Sequence, residues 1–579
     1  TSSFWVEINN KYEIMIPVTK IVSRSKKFYS RQQDVTSSWD QIQKNRNTLY
    51  LELRNKVEAR IGPADREMKL YQKQYDQEAQ DQWFPETQAE FFRSALRAQL
   101  LLLGDFHALE QSQRTHIRIL RKLIRYGKKP VIFLECLQWN HGPLIQKYLR
   151  QEISDLDFCK SIQWDESWGF PWEHYQCYFE LAREHKLEII GLSPRKAWMQ
   201  TLNSRDEFAC HVVGRYIIKD KMNASANLNV FDDNRQFVLI MGDLHLGQKR
   251  LPTQLKKKLG KNYQILRVLQ NIDSLYWKLS RQNYNPVGKI LRKNRQTFCV
   301  QSVAPWVKWQ SYLHFLELKN EGDRETSLEA TELVAHLVQV FNRDFNEQVK
   351  LDKLHVFHSD ETGPISKYIR KLKSRQRAIV RTMMNKKRSF FDPQVEIGFV
   401  GRKSLNHSAE VAFAYFYYRL SGVRKLNWNL RSDFEKWIWF RALQYFGSKV
   451  INPHRKSATV QDMAKSMGQK NNGASRLAME QKEREWAVLV GSQDSDVPTL
   501  SQSSKLAPQH AWLDAIELLG MALGEKMFLA MRDGLVSHDE IRVLLRQRLD
   551  IQDFQKFYYR TLRMFESVPE PFQSKDDQI

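Results

Sequence analysis

The chain has 579 residues and a mass of 68.7 kDa, several times the about 100 to 200 residues of a usual domain, so a single small module is excluded. Hydrophobic residues at 42% and charged residues at 27% exclude wholesale disorder and a fibrous repeat. Against 66 Asp+Glu stand 90 Lys+Arg, a formal net charge of +24, which points to an anionic partner and says nothing of fold.

Residues 1–94 read as a lead-in and a helical arm. From Ser38 to Ile61, Trp39, Ile42, Leu49, Leu51, Leu53 and Val57 recur among charges until Gly62 and Pro63 stop the pattern. The arm carries no recognisable chemistry.

Residues 95–310 change to short apolar runs: Leu100 to Leu103, Val131 to Leu134, Leu187 to Leu192, Phe237 to Met241 and Tyr263 to Leu269. Between them lie stretches of helical period, such as Thr115 to Tyr126 and His174 to His185. Buried strands alternating with crossover helices predict an α/β domain with a mostly parallel sheet flanked by helices.

Residues 311–579 predict a second, mainly α-helical domain, with helices over Leu328 to Phe345, Ala409 to Leu420, Phe434 to Phe446, Trp512 to Met531 and His538 to Leu549. Residues 466–510, rich in Ser, Gln, Asn and Gly, read as a flexible insertion. The five cysteines form no CxxC pair, which indicates neither a disulfide framework nor a zinc ribbon. No apolar run reaches the about 18 residues of a membrane helix, so a soluble or peripheral protein is expected. The chain starts at Thr1 rather than Met, which leaves room for a removed signal or lipid-attachment segment, and the compartment and oligomeric state stay open.

The chemistry is concentrated at strand ends. Leu101-Leu102-Leu103-Gly104-Asp105-Phe106-His107 and Leu239-Ile240-Met241-Gly242-Asp243-Leu244-His245 share one pattern, three apolar residues followed by Gly-Asp-apolar-His. In an open parallel sheet the carboxyl ends of strands surround the ligand crevice, so both Asp/His pairs are expected at one rim. A third strand ends in Glu135, whose burial calls for polar partners. Two imidazoles and three carboxylates can bind a divalent metal, transfer protons or hold a polar ligand. The competing structural reading has Asp105 and Asp243 capping helices while the histidines satisfy buried backbone groups.

These residues carry a resemblance. Roughly residues 95–275 resemble the ChaN-like domain of the TIKI/TraB/erythromycin-esterase superfamily: Gly104 to His107 is similar to its opening motif, with Asp105 where the family usually has Glu, and Glu135 to its acidic strand end. The aromatic segment Trp168 to Tyr175, Ser193 in a place more often Asn, the closing Gly242 to His245, and Leu251-Pro252 follow in the family's order. The resemblance implies haem or metal-cofactor binding of the ChaN type, in iron or haem uptake, through Gly104, Asp105, His107, Glu135, Gly242, Asp243 and His245. Its runner-up implication is a metal-dependent peptidase or esterase in which His107, Glu135 and His245 hold a divalent metal or a water, with Asp105 or Asp243 as base or orienting group. Haem needs an axial ligand and an apolar crevice; Trp164, Trp168, Phe170, Trp172 and Tyr175 are candidates to wall it, and no axial residue is singled out.

Weaker signals complete the inventory. His355 and His358 stand at helical spacing beside Asp360 and Glu361, without the HExxH glutamate, and Gly520 and Gly524 form a GxxxG that reads as close helix packing. Residues 249–308 hold 14 Lys/Arg against one acid, Asp273, and residues 366–388 hold 10 with none. Either segment suits nucleic acid or an anionic membrane; the bland readings are solvated helix faces and a basic scaffold with a vestigial rim site.

Overall fold

The computed structural model describes residues 25–195, 201–226, 234–282, 284–319, 326–352, 354–358, 362–402, 404–423, 427–455, 473–489 and 498–568. Eight strands form one sheet: β1 (Phe84–Glu86), β2 (Leu100–Asp105), β3 (Lys129–Gln138), β4 (Glu188–Ser193), β5 (Arg235–Gly242), β6 (Ile265–Gln270), β7 (Lys289–Asn294) and β8 (Thr297–Gln301). Their order is β1-β7-β8-β6-β2-β5-β3-β4. The five apolar runs of the sequence are β2 to β6, all parallel to their neighbours, while β1 and β7 pair antiparallel at one edge.

Alternation along the strands divides the core into two layers. Leu101, Leu103, Ile132, Leu134, Val238 and Ile240 pack on one face, and Leu100, Leu102, Val131, Phe133, Leu239 and Met241 on the other. Helices cover both faces, including Glu110–Arg125 and Trp172–His185 on the first and Leu202–Ala226 and Leu251–Leu259 on the second. The arm contributes the long helix Ser25–Ile61 and the shorter Arg66–Glu78. Glu78 reaches the buried Arg267 of β6 through two contacts of 3.0 and 3.1 Å.

The expected boundary near residue 310 falls inside the helix Pro305–Lys319, which touches both halves of the molecule. Its Trp309 and Tyr312 pack on Phe106, and its Phe315 stacks on Phe170 at 4.3 Å. Beyond it the chain is mainly helical around Leu405–Ser421, Phe434–Ile451 and Gln509–Arg532. Close packing explains Gly520 and Gly524: an added Cβ would lie 2.5 Å from Arg441 Cγ and 2.5 Å from the Ala442 carbonyl oxygen respectively.

Two expectations change here. A small sheet of β9 (His355–His358), β10 (Phe390–Asp392) and β11 (Ile397–Val400) interrupts the helical half. His355 and His358 are therefore strand residues three apart, projecting to opposite faces, and cannot act as a helical pair; Asp360 and Glu361 lie outside the described residues. The expected insertion 466–510 contains the helix Gly473–Leu489, whose Ala474, Leu477 and Ala478 are buried. Residues 466–472 and 490–497 of it lie outside the described residues. Among those described, no helix is long and apolar enough to cross a membrane.

Candidate functional site

The register of β2 and β5 places Asp105 opposite Gly242, so both Gly-Asp-x-His segments leave the sheet at the same height. Close approach requires glycine at 104 and leaves Gly242 tightly packed. A Cβ on Gly104 would lie 1.8 Å from Asp243 Oδ1, and one on Gly242 would lie 3.2 Å from His107 Nε2.

The two histidines are each oriented by a carboxylate, but not in the symmetric way the repeated motif suggests. His107 Nδ1 meets Asp105 Oδ2 at 2.9 Å. Asp105 is fixed in turn by Gln113, which donates to Oδ1 at 2.6 Å, and by Tyr175, whose hydroxyl donates to Oδ2 at 2.9 Å. His245 Nδ1 instead meets Asp206 Oδ1 at 2.6 Å, and Tyr71 donates to Asp206 Oδ2 at 2.8 Å. Asp243 turns back beneath Gly104, where its Oδ1 accepts the Gln270 N–H at 3.3 Å.

With each Nδ1 committed, both Nε2 atoms face Glu135, His107 at 3.8 Å from Oε2 and His245 at 3.8 Å from Oε1. Glu135 is already satisfied: Gly242 N–H donates to Oε2 at 2.7 Å, and Arg205 pairs with Oε1. Ser193 donates to the Glu135 carbonyl at 2.5 Å. Burial pushes the Glu135 pKa up, but Arg205, His245 and His107 together hold it at about 2. Burial opposes protonation of His107, yet the Asp105 hydrogen bond and the charges of Asp105 and Glu135 outweigh it and raise its pKa. Burial lifts Asp243 to about 7, against the pull of Lys308 and with a push from Asp105.

The structure thus brings Gly104, Asp105, His107, Glu135, Gly242 and His245 to one rim and sets Asp243 behind it. The expected metal set of His107, Glu135 and His245 is not preformed. Among the described residues no group of three or more His, Cys, Asp or Glu stands ready to hold a metal, and both Glu135 oxygens already accept hydrogen bonds from Arg205 and the Gly242 amide.

A cavity of about 190 Å³ opens at the rim, lined by His107, Glu135, Ser193 and Arg205 and walled by Trp168 and Phe170. The His107 ring lies edge-on to Trp168 at 4.5 Å and tilted against Phe170 at 5.1 Å. Of the aromatic segment only these two line it; Trp164 and Tyr175 are core residues, and Trp172 packs edge-on to Trp164 at 5.0 Å.

Sequence reasoning missed Tyr71, Arg205 and Asp206. Arg205 and Asp206 lie in the first turns of Leu202–Ala226, the helix that follows β4 in the chain, a placement that would have nominated them. Nothing in the arm's sequence marks Tyr71, whose contact with Asp206 spans 135 positions.

Residues 91–210 match the protein family described as haem-binding uptake, Tiki superfamily, ChaN, and this part of the chain is similar to that family. The match ends before His245. Among solved structures, ChaN of Campylobacter jejuni, described as showing cofacial heme binding, is similar at 15% identity with a TM-score of 0.24, covering 32% of this chain and 86% of that one. No curated protein matches.

Proposed function

We propose that the ChaN-like domain binds haem at the carboxyl rim of its sheet, with His107 as the iron ligand. One observation carries this reading: His107 has its Nδ1 tied to Asp105, so Nε2 is the nitrogen left for a ligand, on a side chain still 22% exposed against two aromatic walls. A carboxylate behind a ligating imidazole fixes its tautomer and raises its basicity. When bound, haem iron supplies a site for axial ligation, and the protein's levers are that ligand and the polarity around it.

The fit is that of a surface site. A cavity of about 190 Å³ is below the roughly 300–1,000 Å³ of pockets that enclose a ligand. The residues therefore suit a macrocycle resting across the rim rather than buried in it. The family's description gives uptake as the setting, and transfer of haem to or from a surface site is the role we assign.

Haemin titration of the full chain tests this. Wild type is expected to develop a Soret band that saturates at a fixed stoichiometry and that His107→Ala weakens at least tenfold. Unchanged haemin binding in His107→Ala would overturn the ligand assignment.

A second reading, hydrolysis at the same rim, is supported by the two carboxylate-backed imidazoles facing one glutamate, an arrangement suited to general acid–base chemistry. Turnover of a fluorogenic ester, lost in both His107→Ala and His245→Ala and indifferent to EDTA, would favour it over haem binding.

A further inference from the structure

The rim cavity contains a cation whose hydrogen-bonding capacity is mostly unused. Arg205 is 20% exposed and lines the cavity. A guanidinium has five N–H donors in a planar fork. Among the described residues only one contact is made, from one terminal nitrogen to Glu135, and Nε is buried without a partner.

Its position is fixed from behind. Arg205 lies in the first turns of Leu202–Ala226, and Glu67 of the arm accepts the N–H groups of Leu202 at 2.9 Å and Asn203 at 3.0 Å. The next residue, Asp206, is fully buried and held by Tyr71 and His245. A guanidinium on so constrained a base is pre-organised, and less rotamer freedom is lost when a ligand arrives.

Only one acid of the cavity wall holds it, through a single terminal nitrogen. Glu135 is that acid, and both oxygens of that carboxylate already accept hydrogen bonds. Asp105 lies behind His107 with His107, Gln113 and Tyr175 on its oxygens. Among the described residues no second carboxylate claims the remaining terminal N–H groups, so an anion that binds them need not displace Glu135. The planar fork matches a carboxylate, which it can bind through two parallel hydrogen bonds. The small volume admits such a group more readily than an aromatic macrocycle.

We propose that Arg205 forms a carboxylate subsite of the rim, taking an acidic side arm of the porphyrin while the macrocycle stays outside. This rests on the haem reading for the identity of the carboxylate's carrier, but not for the subsite itself. A free small dicarboxylate shares the same chemistry.

The experiment uses the full chain and iron-free protoporphyrin IX, which removes the His107–iron contribution, beside its dimethyl ester, which removes the carboxylates. The diacid is expected to bind at least tenfold more tightly than the diester. Arg205→Gln is expected to abolish that preference, and Arg205→Lys, which keeps the charge without the fork, to retain part of it. Equal binding of diacid and diester to wild type, or a preference that survives in Arg205→Gln, would overturn the proposal. Circular dichroism of both variants checks that the fold survives loss of the Glu135 pairing. If neither porphyrin binds, the haem reading is judged by the haemin titration alone and succinate decides the subsite: binding to wild type but not to Arg205→Gln upholds it, and no binding to wild type ends it.

Discussion

Tyr71→Phe removes one oxygen from a helix that the sequence marks as chemically silent, and the structure gives its cost. The lost hydroxyl donates at 2.8 Å to Asp206 Oδ2, and Asp206 is 0% exposed, so no water replaces it. A hydrogen bond to a charged group contributes about 1.5–3 kcal/mol, and leaving a buried acceptor unpaired incurs the upper part of that range. The phenyl ring still fills its place under the Arg250 guanidinium, which sits 3.7 Å from the ring centroid, so no large cavity confuses the result. The loss should appear locally, at the start of Leu202–Ala226, because Glu67 continues to cap Leu202 and Asn203. Hydrogen exchange of the amides in that first turn reads the local opening free energy directly. At about 1.4 kcal/mol per tenfold, exchange should quicken by roughly 10- to 150-fold, and Asp206→Asn should do the same without an additive effect in the double variant. Exchange unchanged within twofold would refute the idea that the arm braces the rim.

Other perturbations test other parts of the site. Asp243 has a folded pKa raised from 3.8 to about 7, so its contribution to stability is fully present below about pH 4 and is lost as pH rises through 7. The total loss across that window amounts to roughly 4 kcal/mol; Asp243→Asn should remove it, measured as the difference in urea midpoint between wild type and variant from pH 4 to 8, and parallel curves would contradict the burial argument. Gly104→Ala forces a methyl group 1.8 Å from Asp243 Oδ1 and should lower stability by more than the about 1–3 kcal/mol of ordinary overpacking; Asp243→Ala in the same chain should restore part of it, and no restoration would place the strain elsewhere. For His107, whose pKa is raised against burial chiefly by Asp105, Asp105→Asn should lower the midpoint of the imidazole titration followed by NMR. Since the imidazolium favours the fold below its unfolded pKa and that gain disappears as pH rises through the folded value, the variant should lose stability on the acid side of the midpoint.

The sheet was legible because its central strands are buried on both faces and therefore written as unbroken apolar runs. β7 was not, since this strand beside the three-residue edge strand β1 reads Lys-Ile-Leu-Arg-Lys-Asn, exposes Lys289 and Arg292 and breaks the pattern. β8 is buried throughout but only five residues long and begins and ends in Thr297 and Gln301, so neither period nor length marks it. At the site, the duplicated motif located the rim and then misled about pairing. Asp105 does orient His107, whereas Asp243 lies beneath Gly104 and His245 takes its carboxylate from Asp206. Sequence spacing cannot disclose that exchange, because it depends on how the helix after β4 crosses the sheet.

The same distinction between composition and placement redistributes the positive charge. In residues 249–308 many cations serve the fold: Arg267 and Lys293 pair with Glu78, Lys308 with Asp273, Arg292 with Glu86, and Lys278 donates to the carbonyls of Gln80 and Asp81 at 2.8 Å each. Those contacts close the arm and the β7–β8 edge onto the domain, and a cation held this way is not available to a polyanion without loosening the structure. In residues 366–388, Lys386 and Arg388 pair with Asp514, while Lys367, Arg370, Lys371, Lys373, Arg381 and Lys387 are exposed. Among the described residues of their helices, Ile365, Tyr368, Ile379 and Val380 turn into the core, so these apolar side chains, the aromatic included, are not presented to a bilayer or a base. Attraction there would therefore be purely ionic, with a steep salt dependence. Reversing Lys367, Lys371 and Arg381 to Glu should abolish any binding the full chain shows to duplex DNA or anionic vesicles at 50 mM salt, while Lys256→Glu with Lys257→Glu leaves it intact. If the second pair matters as much as the first set, the charge acts as a diffuse field rather than through this face.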